Sequence, residues 1–495
     1  MAARFLRRGL AAGDGEALPQ AARPRASRRA RRVVAGRTRA RRHRPRQRGL
    51  RRRSAAPPRR YLRAGLEHRR TVARVSAVSR RARRRSGARL IDIVFCFEVH
   101  QPRRLRALRP RDRVRPLGYF DDALDRLVLE RVAERCYLPM NRLLLDVIDR
   151  TDGQFRCAFS LSGTVVRQLR DWAPGALDSF VALAESGNVE FLCETSRHSL
   201  AALADAAEFA AQVEEQRAVV TDLFGAPTSF RNTELILDNG ICAEIERLGF
   251  DCVLGEGADH LLGWRRPWVP YRPKGCRRLK LLLRSYSLSD DIAFRFSDRS
   301  WPCHPLYADT YAGWLHDLPA AVQFLGLFMD YETFGEHQGS ATGVFEFMRH
   351  LPALVLEDPR FRFRTPAQVA AERDALHELD LAAPVSWADA DRGLGAWLGN
   401  PMQTAVHERL YGMRPEVLRA AEERPELLAT WRDLTTSDHV YYVATREHSD
   451  GEVHDYFSPF ASPHAAFVAA MTALDDLQAQ VDKVGRARRR AGTGR

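Results

Sequence analysis

Phe324-Leu325-Gly326-Leu327-Phe328-Met329-Asp330-Tyr331-Glu332-Thr333-Phe334-Gly335-Glu336-His337-Gln338 is the stretch on which the reading of this chain turns. It opens as an unbroken apolar run and ends in three carboxylates, a histidine and a glutamine. An apolar run closed by a glycine-containing turn predicts a strand buried on both faces. Polar groups gathered at the end of such a strand are where an α/β barrel keeps its chemistry.

Working outward, six more runs share this pattern. Ile91–Val99 ends at His100-Gln101-Pro102, Phe155–Leu161 at Ser162-Gly163, and Val189–Cys193 at Glu194 and His198. Thr228–Asn232 leads to Glu234, Asp251–Leu254 to Gly255-Glu256-Gly257, and Leu279–Arg284 to Ser289-Asp290-Asp291. Helical spacing fills the gaps, as in 121–150 and the Ala-rich 201–220. Alternation of strand and helix predicts a parallel sheet with crossover helices. An open sheet would collect its ligand groups near one switch point. Here almost every strand end is polar, which favours a closed, incomplete TIM-like barrel over residues 89–365. From 366 the strand signal stops, so 366–482 is expected to be a helical region completing the active site, with a frayed basic tail at 483–495.

The net charge of +16 is unevenly placed. Residues 1–89 hold 31 Arg, no Lys and three acidic residues, a net of 31 − 3 = +28, leaving (78 − 31) − (62 − 3) = −12 for the remainder. The segment 1–88 has no sustained apolar period and is expected to be disordered. It reads either as an arm for nucleic acid or an anionic surface, or as upstream sequence translated from a wrongly chosen start. Arginine without lysine favours the second, and nucleic acid is not an expected partner of the body. The segment is not a secretory signal, since no apolar core follows its charges. No run of about 18 apolar residues occurs, so no membrane span is expected. The eight cysteines form no CxxC pair and read as reduced core residues of a cytoplasmic protein.

Two carboxylates stand out. Glu234 follows Arg231 and Asn232 at one strand end, and Asp330 closes another. Cleaving a glycosidic bond takes such a pair, one ionised and one protonated. Arg231 and Asn232 favour the ionised form of Glu234, and partial desolvation favours the protonated form of Asp330. Each alone could equally be a helix cap or a salt-bridge partner. His100 and Gln101 can hydrogen-bond sugar hydroxyls. Glu190, Glu194 and His198 cluster at a third strand, where a core polar network is the plainer explanation. Trp264, Trp268, Trp301 and Tyr331 could stack on pyranose rings or simply pack under a loop. Glu332 and Glu336 read as supports for Asp330. His100, His198, Asp330, His337 and His439 could in principle bind a metal, but lack the ligand spacing of an HExxH helix. No metal or cofactor is expected.

Taken together, His100-Gln101-Pro102, Gly187–Glu190, Arg231-Asn232-Thr233-Glu234, Met329–Gln338 and Ser437-Asp438-His439 resemble the five ordered motifs of glycoside hydrolase family 57, in its α-amylase-type subgroup. The resemblance covers about 91–480 and includes Tyr119–Asp122, Leu288–Ser297, Ser386–Asp389 and Tyr456–Pro459. It implies a (β/α)7 barrel followed by a helical region, and a retaining mechanism without a metal. It implies Glu234 as nucleophile and Asp330 as general acid/base, with His100, Glu190 and Asp438 lining substrate subsites; His337 and His439 fall inside the same motifs. The chain departs from the pattern at Arg103, Ser196-Arg197 and Gly339, where aromatics are expected. The expected activity is hydrolysis of α-1,4-glucosidic bonds in an α-glucan or maltooligosaccharide. The alternatives are a 4-α-glucanotransferase or branching enzyme, a metal-dependent polysaccharide deacetylase, or an inactive glucan-binding homologue.

Overall fold

The computed structural model describes residues 90–110, 117–445 and 458–492. The Arg-rich segment, and Tyr456 and Phe457 among the residues carrying the resemblance, lie outside these. Ten strands occur in chain order: β1 (Ile91–Val99), β2 (Cys157–Leu161), β3 (Val189–Leu192), β4 (Ser229–Arg231), β5 (Cys252–Glu256), β6 (Tyr271–Pro273), β7 (Lys280–Arg284), β8 (Phe324–Asp330), β9 (Phe361–Phe363) and β10 (His377–Leu379).

Seven of them form the barrel. β1 lies between β2 and β8, with Phe95 opposite Cys157 and Glu98 opposite Asp330. β2 pairs β3, and β5 pairs both β4 and β7, all in parallel. The two remaining seams are narrow. β3 and β4 meet through Cys193, whose N–H donates to Ser229 (3.0 Å) and whose carbonyl accepts from Arg231 (2.9 Å). β7 and β8 meet where Arg284 faces Gly326. A Cβ on Gly326 would stand 2.7 Å from the carbonyl oxygen of Leu283, so only glycine lets these strands approach.

Alternation along each strand sorts the side chains. Ile93, Phe95 and Phe97 point out, into a core shared with the outer helices, where Val132, Tyr137 and Phe180 pack. Val94, Cys96, Ala158, Leu192, Leu254, Leu282 and Phe328 point in and fill the lower barrel. Val369 and Ala370, from the helix Pro366–Glu372, join this inner cluster. The apolar runs in the sequence are therefore runs buried on both faces, as a helix-covered barrel requires.

Three short strands escaped the sequence reading. β9 pairs β1 below β2, with Ile91 opposite Phe361. β6 pairs β7 antiparallel and β10 in parallel, β10 lying beyond 366 where only helices were expected. Each has three residues, too few for a period to emerge. The helices Pro401–Gly412, Arg414–Ala421, Pro425–Leu434 and Pro463–Gly492 make up most of the C-terminal region. The last runs straight through 483, where the tail was expected to fray. One core joins barrel residues Phe230, Val253 and Leu281 to Trp397, Trp431 and Leu474 of the C-terminal helices, so packing is continuous across 366. Among the described residues, no helix is long and apolar enough to cross a membrane.

Candidate active site

The strand alternation that fills the lower barrel with apolar groups delivers a different layer at its C-terminal end. The next inward residue on each strand, or one or two positions past it, is polar: Glu98, Ser160, Glu194, Arg231, Glu256, Arg284 and Asp330. Four carboxyl groups and two guanidinium groups thus meet in one ring. Two neutralising contacts follow. Arg231 Nη1 lies 2.5 Å from Glu98, and Arg284 Nη1 lies 3.1 Å from Glu256. Arg284 also grips Asp290 and donates through Nε to the carbonyl of Phe328 (2.7 Å), just below Asp330.

Glu234 stands on the loop after β4, in a backbone conformation that L-residues rarely adopt. Its φ is +56° and that of Leu235 is +53°. Left-handed non-glycine residues cost of order 1–3 kcal/mol each and persist where surroundings over-determine them. Here the supports are visible. Asn232 Nδ2 donates to the carbonyl of Ile236 (2.8 Å), Leu237 and Val385 exchange two backbone bonds of 2.9 Å, and Trp387 N–H reaches Glu234 O at 3.2 Å. The carboxylate is held at both oxygens. His198 Nε2 lies 3.3 Å from Oε1, and Trp387 Nε1 donates to Oε2 at 2.6 Å. Two N–H donors on two oxygens are the bonding of an ionised, oriented carboxylate.

His198, itself at φ +51°, also faces Glu194 through Nδ1 at 2.9 Å. Burial pushes its pKa down, but the hydrogen bonds to Glu194 and Glu234 outweigh this and hold it well above the ordinary value. Both ring nitrogens therefore carry protons. Burial likewise pushes Glu194 up, while the His198 hydrogen bond and charge, with Arg231 behind, bring it below the usual range. His100 stacks on His198, with ring centroids 4.2 Å apart and planes 20° apart. Two imidazolium rings cannot share that spacing cheaply; burial and the His198 charge keep His100 neutral. Its neighbours are Asp438 (3.1 Å from Nε2) and the Ser162 hydroxyl (2.7 Å from Nδ1). A neutral ring meets both by donating to the carboxylate and accepting from the hydroxyl.

Asp330 faces the same pocket, half-buried at the end of β8, with Glu98 level with it on β1. Burial raises Glu98 well above the usual carboxylate range, against the opposing pull of Arg231. Two positions past Asp330, Glu332 accepts from Tyr137 O–H (2.5 Å) and from Gln101 Nε2 (3.4 Å). Burial pushes its pKa up to about 8, so it is a neutral acid at pH 7. The C-terminal region supplies the opposite wall: Trp387, Arg392, Asp438 and Tyr441.

Of the residues singled out in the sequence, His100, Gln101, His198, Glu234, Asp330, Glu332, His337 and Asp438 line this pocket. The others are placed elsewhere. Glu190 is inward-facing but near the start of β3, in the lower barrel, where it accepts from the Ala367 N–H (2.8 Å). Trp264 is 80% exposed on the loop after β5 and is not part of the pocket lining. Trp268 and Trp301 pack against the outer core. Tyr331 points away from the pocket, its ring among Phe97 and Phe159 and its hydroxyl on Asn141 (2.5 Å). Glu194, Arg231 and Asn232 lie behind the lining and act through His198, Glu98 and the Glu234 turn. His439 has both ring nitrogens on backbone carbonyls, those of Leu434 and Arg103. It can serve neither sugar nor metal. Conversely, Glu98, Arg284, Trp387, Arg392 and Tyr441 line the pocket without having been singled out. The inward period of β1 and β7 was a signal for the first two. Trp387 falls within Ser386–Asp389, one of the runs that carry the resemblance, and nothing local marks Arg392.

One trio among the described residues, Glu98, Glu194 and His198, has potential ligand atoms within 4.8 Å of one another. It is a poor cation site. Arg231 already sits on Glu98, and His198 is a cation with its Nε2 turned to Glu234.

A parallel barrel with two carboxyl groups at its mouth, one fixed by two donors and one flanked by buried acids, holds the groups that glycoside hydrolysis needs. Comparison with known proteins gives the family. Residues 94–380 match the model described as Glycosyl hydrolase family 57. A protein of Methanocaldococcus jannaschii described as "Putative alpha-amylase" is 38% identical over 398 residues, 78% of this chain and 84% of that one. The chain belongs to glycosyl hydrolase family 57, and its substrate is a carbohydrate. Among solved structures, the 4-alpha-glucanotransferase of Thermococcus litoralis superposes with a TM-score of 0.56 at 15% identity, over 71% of this chain and 56% of that one. The chain thus spans little more than half the length of that enzyme. The GH57-type branching enzyme of Pyrococcus horikoshii gives 0.53 at 15%, over 74% and 87%. The alpha-amylase AmyC of Thermotoga maritima gives 0.51 at 11%, over 80% and 95%. At these identities the likeness is one of fold.

Proposed function

We propose that the protein is a retaining α-glucan hydrolase, with Glu234 as nucleophile and Asp330 as general acid/base. The observation that carries the reading is the bonding of Glu234, whose two oxygens face the His198 and Trp387 N–H groups. In the first step an oxygen of Glu234 bonds to the anomeric carbon. The glycosidic C–O bond breaks, and the leaving oxygen takes the proton of Asp330. In the second step the Asp330 carboxylate takes a proton from water. The water oxygen bonds to the anomeric carbon, and the ester bond to Glu234 breaks. His100 and Asp438 hydrogen-bond the sugar beside this pair.

The α-amylase description of the Methanocaldococcus relative supports hydrolysis of an α-glucan. A sugar hydroxyl in place of water would make the same site a 4-α-glucanotransferase or branching enzyme. The eight cysteines, none in a disulfide and seven of them buried, suit a cytoplasmic setting. The deciding experiment incubates the enzyme with maltoheptaose and resolves products and anomeric configuration. Shorter products with reducing-end gain and retained configuration are expected. Longer products without that gain would establish transfer. Glu234→Gln and Asp330→Asn should each abolish turnover, by at least about a thousandfold in kcat, while keeping the native circular dichroism. Near-normal activity in either overturns the assignment.

A further inference from the structure

A pyranose ring presents a face of C–H groups, and a protein meets it most economically with an aromatic face held open to solvent. The rings lining this pocket differ sharply in that respect. Tyr441 is buried and packs edge-on against Trp397. Trp387 has Arg231 4.6 Å and Arg284 5.6 Å from its ring centroid, and its N–H is given to Glu234. It is half-buried, and its ring is engaged with two guanidinium groups while its N–H holds the nucleophile. Phe294 is the exception, a pocket-lining ring that is 43% exposed. Of the large apolar residues exposed among the described residues, it is the one in the pocket wall.

Its mounting is rigid. Phe294 follows the helix Tyr286–Ala293, and its N–H donates to Asp290 O at 2.9 Å. The Asp290 side chain is gripped by Arg284, a member of the ring of charges at the barrel mouth. The preceding carbonyl, of Ala293, accepts from Gln338 Nε2 at 2.9 Å. The loop that carries Asp330, Glu332 and His337 is thereby tied to the base of the Phe294 ring. Immediately after Gln338 comes Gly339, where nothing lies within 4 Å of a Cβ built on the backbone.

We propose that Phe294 is a stacking platform for a glucosyl unit beyond the two that flank the cleaved bond, and that it makes the enzyme favour longer maltooligosaccharides. This rests on the α-glucan reading above. It is tested by calorimetric titration of maltose through maltoheptaose into the Glu234→Gln protein, with and without changes at 294. In that background Phe294→Ala should weaken maltoheptaose binding about three- to tenfold, leave maltose binding unchanged, and flatten the rise of affinity with chain length. Phe294→Trp should restore the rise. Phe294→Leu, which keeps apolar bulk without a ring, should not. Equal maltoheptaose affinity in the alanine and parent proteins overturns the proposal, as does full rescue by leucine. If the Glu234→Gln parent itself binds no maltooligosaccharide, the α-glucan reading falls, and the platform with it. The two failures are thus told apart by the parent titration.

Discussion

At the scale of the residue, the site depends on which groups hold protons, and burial decides more of this than formal charge. Glu332 is the clearest case. In the unfolded chain its carboxyl titrates near 4.5, whereas in the fold burial, and after it the nearby Asp330 charge, raise it to about 8. The folded state therefore holds a proton that the unfolded state gives up. The resulting stabilisation is complete below 4.5 and is lost as pH rises toward about 8. Glu332→Gln, which mimics the neutral acid, should flatten the pH dependence of stability across that window. Chemical denaturation of both proteins at pH 5 and pH 8 measures it; an unchanged slope would show that Glu332 does not carry this term. The same reasoning explains the paired histidines. His198 gains its proton from two carboxylates, and His100, stacked upon it, is denied one.

At the scale of the element, two departures from the family pattern acquire a reason. Arg103 and Arg197 stand where aromatics were expected, which suggested lost sugar contacts. Both reach Asp433, at 2.8 Å each, and Arg167 joins them at 2.6 Å. Asp433 lies at the end of the helix Pro425–Leu434, so three arginines from the barrel clamp one carboxylate of the C-terminal region. Burial alone would raise Asp433, yet the three guanidinium groups hold it below its ordinary value. Removing one partner of a buried ion pair strands the others. Asp433→Asn should cost about 1–3 kcal/mol in urea unfolding, because Arg197 and Arg103 keep contacts to Glu215 and Asp122 and Arg167 is part-exposed. A loss under about 1 kcal/mol would place the clamp among weak surface pairs. These arginines are thus elements of docking, and the aromatic contact at the mouth falls to Phe294.

At the scale of the whole molecule, the expected boundary at 366 is crossed by the core, by the β6–β10 pairing, and by Trp387 reaching Glu234. A chain beginning at residue 89 should therefore unfold in a single calorimetric transition, with matching van't Hoff and calorimetric enthalpies. Two resolved transitions would mean that barrel and helical region are separate domains after all.

Much of this was legible in the chain itself. Seven apolar runs ending in polar residues favoured a barrel over an open sheet and marked the end at which its chemistry lies, because inward alternation is local and repeats every second residue; closure itself was not legible. Asp330 was legible for the same reason, closing β8, and Glu234 because it follows β4 within three residues. Glu190 misled because it lies on the correct face but near the wrong end of its strand, and Tyr331 because it follows Asp330 by one residue and so points outward. The tertiary structure alone decided the rest. Trp387 donates to Glu234 from 153 positions along the chain, and Asp438 meets His100 across 338. No local period records such contacts. They exist because the C-terminal region buries its apolar surface against the barrel, and that packing carries the second wall of the active site into place.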